Sequence, residues 1–255
     1  MRKNPSSLTI TAVVLFGIFS VSASSIFIRY AQADHVNSMV ISTARLLVAT
    51  LALLPIVWLR HRRDMASLTR REWILGATSG LFLALHFFSW ITSLEYTTIT
   101  SSVVLVTTTP LWVAMLAPLL LKEKVTPGLT LGMIVTLIGG TVIGVSDLCH
   151  FDGSIRCLIG ANFWANNSFF GNFLALFGAW MAAGYIMIGR QLRSRLSLIP
   201  YIFLVYGMAA IFSLVVILSM GLQISGYAQF TYIWLILLGV VPQLFGHSSF
   251  NLSLI

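Results

Sequence analysis

One charge and three polar stripes mark where this sequence could handle a solute. Arg45 stands within "STARLLVATLALLP" (42–55), a stretch otherwise almost wholly apolar. The natural complement of a guanidinium in such surroundings is a carboxylate or another anionic group. His86, Ser89, Trp90 and Ser93 recur at steps of three and four, which places them on one face of a helix. Along the segment that opens "TSSVVLVTTTP", Ser101, Thr108 and Trp112 share a face, with Thr109 beside them. Gln243, His247 and Asn251 fall at four-residue intervals just after Pro242. Ser20, Ser24 and Tyr185 are lesser members of the same set. Hydroxyls, amides, imidazoles and indoles bind and release small molecules, and the same groups hydrogen-bond between helices. Both uses require that the stripes face protein rather than lipid.

Bond-breaking chemistry has no candidate. The sequence contains no HExxH, no GxSxG, no glycine-rich phosphate loop followed by lysine and no pair of buried aspartates. No catalytic residue and no cofactor is expected. His150 and Asp152 beside the cysteines match no zinc spacing, so no metal is expected either. Cys149 and Cys157, the chain's two cysteines, are close enough in sequence to form a short disulfide in an oxidising compartment.

The elements that must position these residues follow from composition. Hydrophobic residues make up 58% of the chain and charged residues 9%, against roughly 25% charged in soluble domains. Nearly uncharged stretches run at about 8–28, 36–59, 73–94, 97–121, 128–146, 169–189, 198–220 and 229–254. Each approaches the roughly 20 residues with which a helix crosses a bilayer. Continuous apolar runs, rather than alternation, argue for helices over barrel strands. The expectation is an all-α polytopic membrane protein with eight transmembrane helices.

The net charge of +8 does not indicate nucleic acid. Arg2 and Lys3, then Arg60, Arg62, Arg63, Arg70 and Arg71, then Lys122 and Lys124, then Arg190, Arg193 and Arg195 all fall on one side if eight helices alternate. Only Arg29 and Arg156 fall on the other. Positive residues gather on the cytoplasmic side, so the N-terminus is expected in the cytoplasm of an inner or plasma membrane, with the loop 147–168 outside. The acidic residues lie at span ends or in loops, so coupling to an ion would have to use His86, His247 or a boundary carboxylate such as Glu95.

Two further helices carry structural signals. Pro110 frees the carbonyl of Val106 and should kink the fourth span, and Pro242 does the same in the eighth; both are candidate gates. In the fifth, Gly132, Thr136, Gly140 and Gly144 form a smooth strip for close helix packing, within the chain or between two protomers of a homodimer. The segment starting at Ser22 also has a counterpart starting at Ala182, with Arg29 and Arg190 at matching places and "SWITSL" (89–94) matched by "SFNLSL" (249–254). A repeat of five helices, being odd in number, would return upside down, a recurring build for secondary transporters.

"SSVVLVTTTPLWVAMLAPLLLKEKVTPGLTLGMIVTLIGGTVIG" resembles the end of an EamA-type repeat of the drug/metabolite transporter superfamily. It has the polar helix with a proline, the Lys122-Glu123-Lys124 hairpin and the glycine-rich helix. "GNFLALFGAWMAAGYIMIGRQL" is similar to the start of that family's second repeat, and the arginine of "ARLLVATLALLP" sits where the family often has one. The resemblance implies two inverted repeats of five helices. Residues 1–146 would be the first, 147–168 an external loop, and 169–255 an incomplete second repeat of three helices. It implies a permease, by likeness an exporter, that moves small metabolites such as amino acids or drugs through the lipid bilayer by alternating access. The competing reading is a truncated, non-transporting membrane scaffold or assembly protein.

Overall fold

The structure is a computed structural model that describes residues 7–120, 126–146, 149–151, 155–157 and 167–252 of the 255-residue chain. Among them, eight helices are long and apolar enough to cross a membrane. These are α1 (Thr11–Ala33), α2 (Ser38–Ala66), α3 (Arg70–Tyr96), α4 (Ile99–Pro118), α5 (Pro127–Gly144), α6 (Asn167–Arg193), α7 (Leu198–Ser219) and α8 (Gln229–Leu252). Between α5 and α6 lies a short antiparallel hairpin, β1 (Cys149–Phe151) and β2 (Ile155–Cys157), whose backbone register sets Cys149 opposite Cys157. The side chains of that hairpin, and with them the expected disulfide, lie outside the described residues, as does the Lys122-Glu123-Lys124 segment expected as a hairpin.

Local polar chemistry starts several of these helices. Asn37 Oδ1 accepts from the Met39 amide at 2.9 Å and caps α2. In "TRRE" (69–72), Glu72 Oε2 accepts from the Thr69 amide at 2.8 Å while Thr69 Oγ1 accepts from the Glu72 amide at 3.3 Å. This reciprocal box opens α3. Thr98 Oγ1 accepts from the Ser101 amide at 3.1 Å and opens α4.

The helices are interrupted at definite places. A turn at Ala23 divides α1. α2 widens into a π-helical turn over Val57–His61, just after Pro55. α4 breaks at Thr107 and Thr108, immediately before Pro110. There the Thr109 hydroxyl donates to the Val106 carbonyl at 2.8 Å and the Thr108 hydroxyl to Leu105 at 2.6 Å, so side chains satisfy the backbone around the proline. α8 is π-helical over Gly239–His247, a stretch that contains Pro242.

Packing divides the chain into two compact units, Met1–Ala84 with Ile188–Ile255, and Leu85–Met187, so that α3 and α6 each contribute to both. In the first, α2 lies against α7, and the π-helical stretch of α8 lies against α1 and α2. Glycine makes that approach possible. A Cβ at Gly239 would come within 2.5 Å of Val48 Cβ, and one at Gly246 within 2.5 Å of Val21 Cγ2. Two polar contacts join helix ends in the same unit. Arg195 Nη1 donates to Glu72 Oε1 at 2.6 Å, and Asp34 accepts from the Ala228 amide at 3.2 Å and from the Thr231 hydroxyl.

In the second unit, Thr97 Oγ1 donates to Asn172 Oδ1 at 2.7 Å, and the Ser93 and Ser102 hydroxyls meet at 2.6 Å. The glycine strip of α5 has little against it here. A Cβ at Gly132 or Gly144 would meet nothing within 4 Å, and one at Gly140 only Thr108 and Leu105, at 3.8 and 3.9 Å. Thr136 turns its hydroxyl back to the Gly132 carbonyl at 2.8 Å.

Candidate functional site

The first cluster is built in the unit containing both chain ends. Arg45, on α2, is fully buried. Its Nε donates to Gln243 Oε1 at 2.7 Å and its Nη1 to Ser24 Oγ at 2.9 Å. Ser24 starts the second piece of α1, directly after the turn at Ala23, and Gln243 lies in the π-helical stretch of α8. Both interruptions therefore place a neutral oxygen on the guanidinium. From Gln243 the polar contacts continue: Ser248 Oγ donates to the Gln243 carbonyl at 3.4 Å and lies 3.4 Å from the Tyr206 hydroxyl. Asn251 Nδ2 donates to that same hydroxyl at 3.2 Å. Arg193 Nε donates to the Asn251 carbonyl at 3.3 Å, and its Nη1 to the Leu196 carbonyl at 2.7 Å. All of these side chains are buried.

The second cluster belongs to the other unit. His86 Nδ1 lies 2.8 Å from the Gly178 carbonyl of α6. The close approach again needs glycine, since a Cβ at Gly178 would come within 3.1 Å of Ser89 Oγ and 3.3 Å of the His86 carbonyl. Trp90 stacks on the imidazole, with centroids 6.1 Å apart and planes 13° from parallel. Ser89 donates to the Leu85 and His86 carbonyls at 2.7 and 3.1 Å, and Ser93 to the Trp90 carbonyl at 2.6 Å. On α4, the Trp112 indole donates to Thr108 Oγ1 at 3.0 Å and meets the Trp180 ring edge-on at 5.3 Å. Ser101 accepts from the Thr98 hydroxyl at 2.9 Å, and Tyr185 of α6 is buried.

Such an arrangement presents donors, acceptors and aromatic faces inside membrane-spanning helices. The comparisons with known proteins say which family does this. The model of the EamA-like transporter family matches residues 8–145. The chain belongs to that family. The eight apolar helices among the described residues, together with this family, make it an integral membrane protein. A WAT1-related protein of Arabidopsis thaliana is 33% identical over 143 residues. That match covers 56% of this chain and 39% of the relative, so the chain spans well under two thirds of the curated relative's length. A solved crystal structure of another protein shares its fold at 13% identity, with a TM-score of 0.64, over 96% of this chain and 79% of the other.

Within this EamA-like chain the sequence-derived stripes separate by unit. His86, Ser89, Trp90, Ser93, Ser101, Thr108, Thr109, Trp112 and Tyr185 lie in the second, and Arg45, Gln243, His247 and Asn251 in the first. Gln243 and Asn251 are buried, whereas His247 is only half-buried and faces Phe250 edge-on at 6.4 Å. A four-residue stripe assumes an α-helix. In a π-helix the backbone bonds run from i to i+5, so Ser248, five residues on, takes the place under Gln243. Tyr206, Ser248 and Arg193 were missed. The first is one tyrosine in an apolar run, the second needs the π phase, and the third reads as a loop cation.

Proposed function

We propose that this chain carries small organic metabolites, such as amino acids or drugs, across the membrane by alternating access, and works as an exporter. The observation behind this reading is Arg45. A guanidinium fixed at full burial inside a membrane helix, by a serine from α1 and a glutamine from α8, is costly to keep unless it serves a function. Its complement on the solute is a carboxylate or similar anion. Within the same unit, Tyr206, Ser248 and Asn251 supply hydroxyl and amide groups of the kind that hold the rest of an organic molecule. The family supports a carrier over a scaffold. The N-terminus lies in the cytoplasm on this reading.

The test is efflux of radiolabelled amino acids from cells expressing wild type, Arg45→Lys and Arg45→Leu, with membrane levels measured in parallel. Lysine keeps the charge but not the planar fork, and the two are not interchangeable where two donors must be aimed. Arg45→Lys is expected to reach the membrane at the wild-type level and to lose most transport, roughly tenfold or more for a contact worth about 1.5–3 kcal/mol. Full transport by Arg45→Leu would overturn the assignment.

A further inference from the structure

We infer that His86 is a proton-binding site of this carrier, with Nε2 as the nitrogen that takes and releases the proton. The inference starts from the other nitrogen. Nδ1 lies 2.8 Å from the Gly178 carbonyl, and a carbonyl oxygen can only accept. Nδ1 therefore keeps its hydrogen in both charge states of the ring, and the bond fixes the tautomer. Proton uptake and loss fall to Nε2. One N–H bond forms or breaks there.

The surroundings suit a charge that comes and goes. Trp90 lies nearly parallel to the imidazole in an offset stack, with centroids 6.1 Å apart, at the outer edge of cation–π reach when the ring is cationic. Cation–π contact stabilises the charged state without binding it permanently, as an aspartate would. The Gly178 carbonyl strengthens its hydrogen bond when the ring becomes charged. Among the described helices of this unit, no buried fixed charge competes for the same role. α3 carries Glu95 and Tyr96 at its far end, nine and ten positions beyond His86, and both are exposed. On α6, which supplies Gly178, the titratable side chain within the unit is Tyr185. The described parts of α4 and α5 carry none. In the described part of this unit, His86 is thus the buried group that ordinarily changes charge between about pH 5 and 8. An ionisable residue inside a membrane helix marks a relay or a pathway by default.

Coupling follows and rests on the transport reading above. A proton taken up at Nε2 from the outer side and released to the inner side as the carrier turns over would drive the solute the other way. The site itself does not depend on that reading, which allows two separate arms in the experiment. In the first, His35, His61, His150 and His247 are replaced by glutamine, leaving His86 as the sole histidine, and the 15N-histidine-labelled protein is placed in lipid nanodiscs. Nitrogen NMR across about pH 5–8 is expected to show hydrogen on Nδ1 throughout and a protonation change at Nε2. Hydrogen on Nε2 in the neutral form, or no change across the range, would overturn the site.

The wild-type protein serves as the second measurement. Protonation next to an indole quenches its fluorescence, so a pH-dependent part of the tryptophan signal should disappear in Trp90→Phe and in His86→Gln. Its persistence in both variants would count against the pair. In the transport arm, an imposed proton gradient should accelerate efflux in the wild type and its reversal should slow it, while efflux by His86→Gln, read at matched membrane level, should not respond to either gradient. Gradient-driven transport by His86→Gln overturns the coupling. An absence of transport by the wild type under every gradient would instead overturn the proposed function, while the NMR result would still decide the proton site.

Discussion

At the scale of the residue, Arg45 shows what a sequence can and cannot reveal. Its type and place were plain, because nothing else in "STARLLVATLALLP" is charged. Its partners were not, because Ser24 lies 21 positions away and Gln243 198. No local rule joins them. Breaking the pair from one side leaves a buried charge short of an acceptor, which costs more than the pair contributes. Gln243→Leu should therefore lower stability in detergent by about 2 kcal/mol. The double variant Arg45→Leu/Gln243→Leu should be more stable than the sum of the single changes implies. Chemical denaturation of the four purified forms measures this cycle. Additive losses would show that the 2.7 Å contact carries no coupling.

At the scale of the element, all eight expected spans are helices, and the expected break before Pro110 is present. Apolar runs and prolines are local signals, and local signals were enough for these. The turn at Ala23 and the π-helical stretches at Val57–His61 and Gly239–His247 could not be read in advance, since a change of helical pitch leaves composition untouched. Those features decide which side chain meets which, so the site was less legible than the fold. Glycine shows the same division. Gly239 sits where a Cβ would come within 2.5 Å of Val48 and 3.1 Å of the Arg45 carbonyl, while Gly132 has nothing within 4 Å. The sequence singled out the second and passed over the first. Gly239→Ala should cost about 1–3 kcal/mol through overpacking and displace the Arg45 segment. Gly132→Ala should leave the stability of a monomer unchanged or raise it by up to about 1 kcal/mol, since alanine removes glycine's helix penalty and meets no obstruction. Thermal unfolding of both variants in one detergent distinguishes these outcomes, and an equal loss from the two would contradict the packing described.

At the scale of the whole molecule, the contacts inside the first unit bear on which helix ends share a side. Arg195, after α6, reaches Glu72 at the start of α3, and Asp34, after α1, receives the start of α8 at Ala228 and Thr231. Strict alternation of eight spans puts the first pair of ends on one face and the second pair on the other, and these bonds follow that parity. Parity does not say which face is the cytoplasm. The proposed orientation rests on the basic residues: Arg60, Arg62, Arg63, Arg70, Arg71, Arg190, Arg193 and Arg195 all fall on the Glu72 side, and positive flanks tend to stay inside. Ser67 and Ser225 are both exposed and lie one on each side, in the α2–α3 and α7–α8 connections. Each can be replaced by cysteine in a chain whose own Cys149 and Cys157 have been changed to serine. A membrane-impermeant maleimide added to intact cells should then label Ser225→Cys strongly and Ser67→Cys only after the cells are opened. The reverse pattern would invert the molecule, putting the arginine-rich ends outside and overturning the proposed orientation.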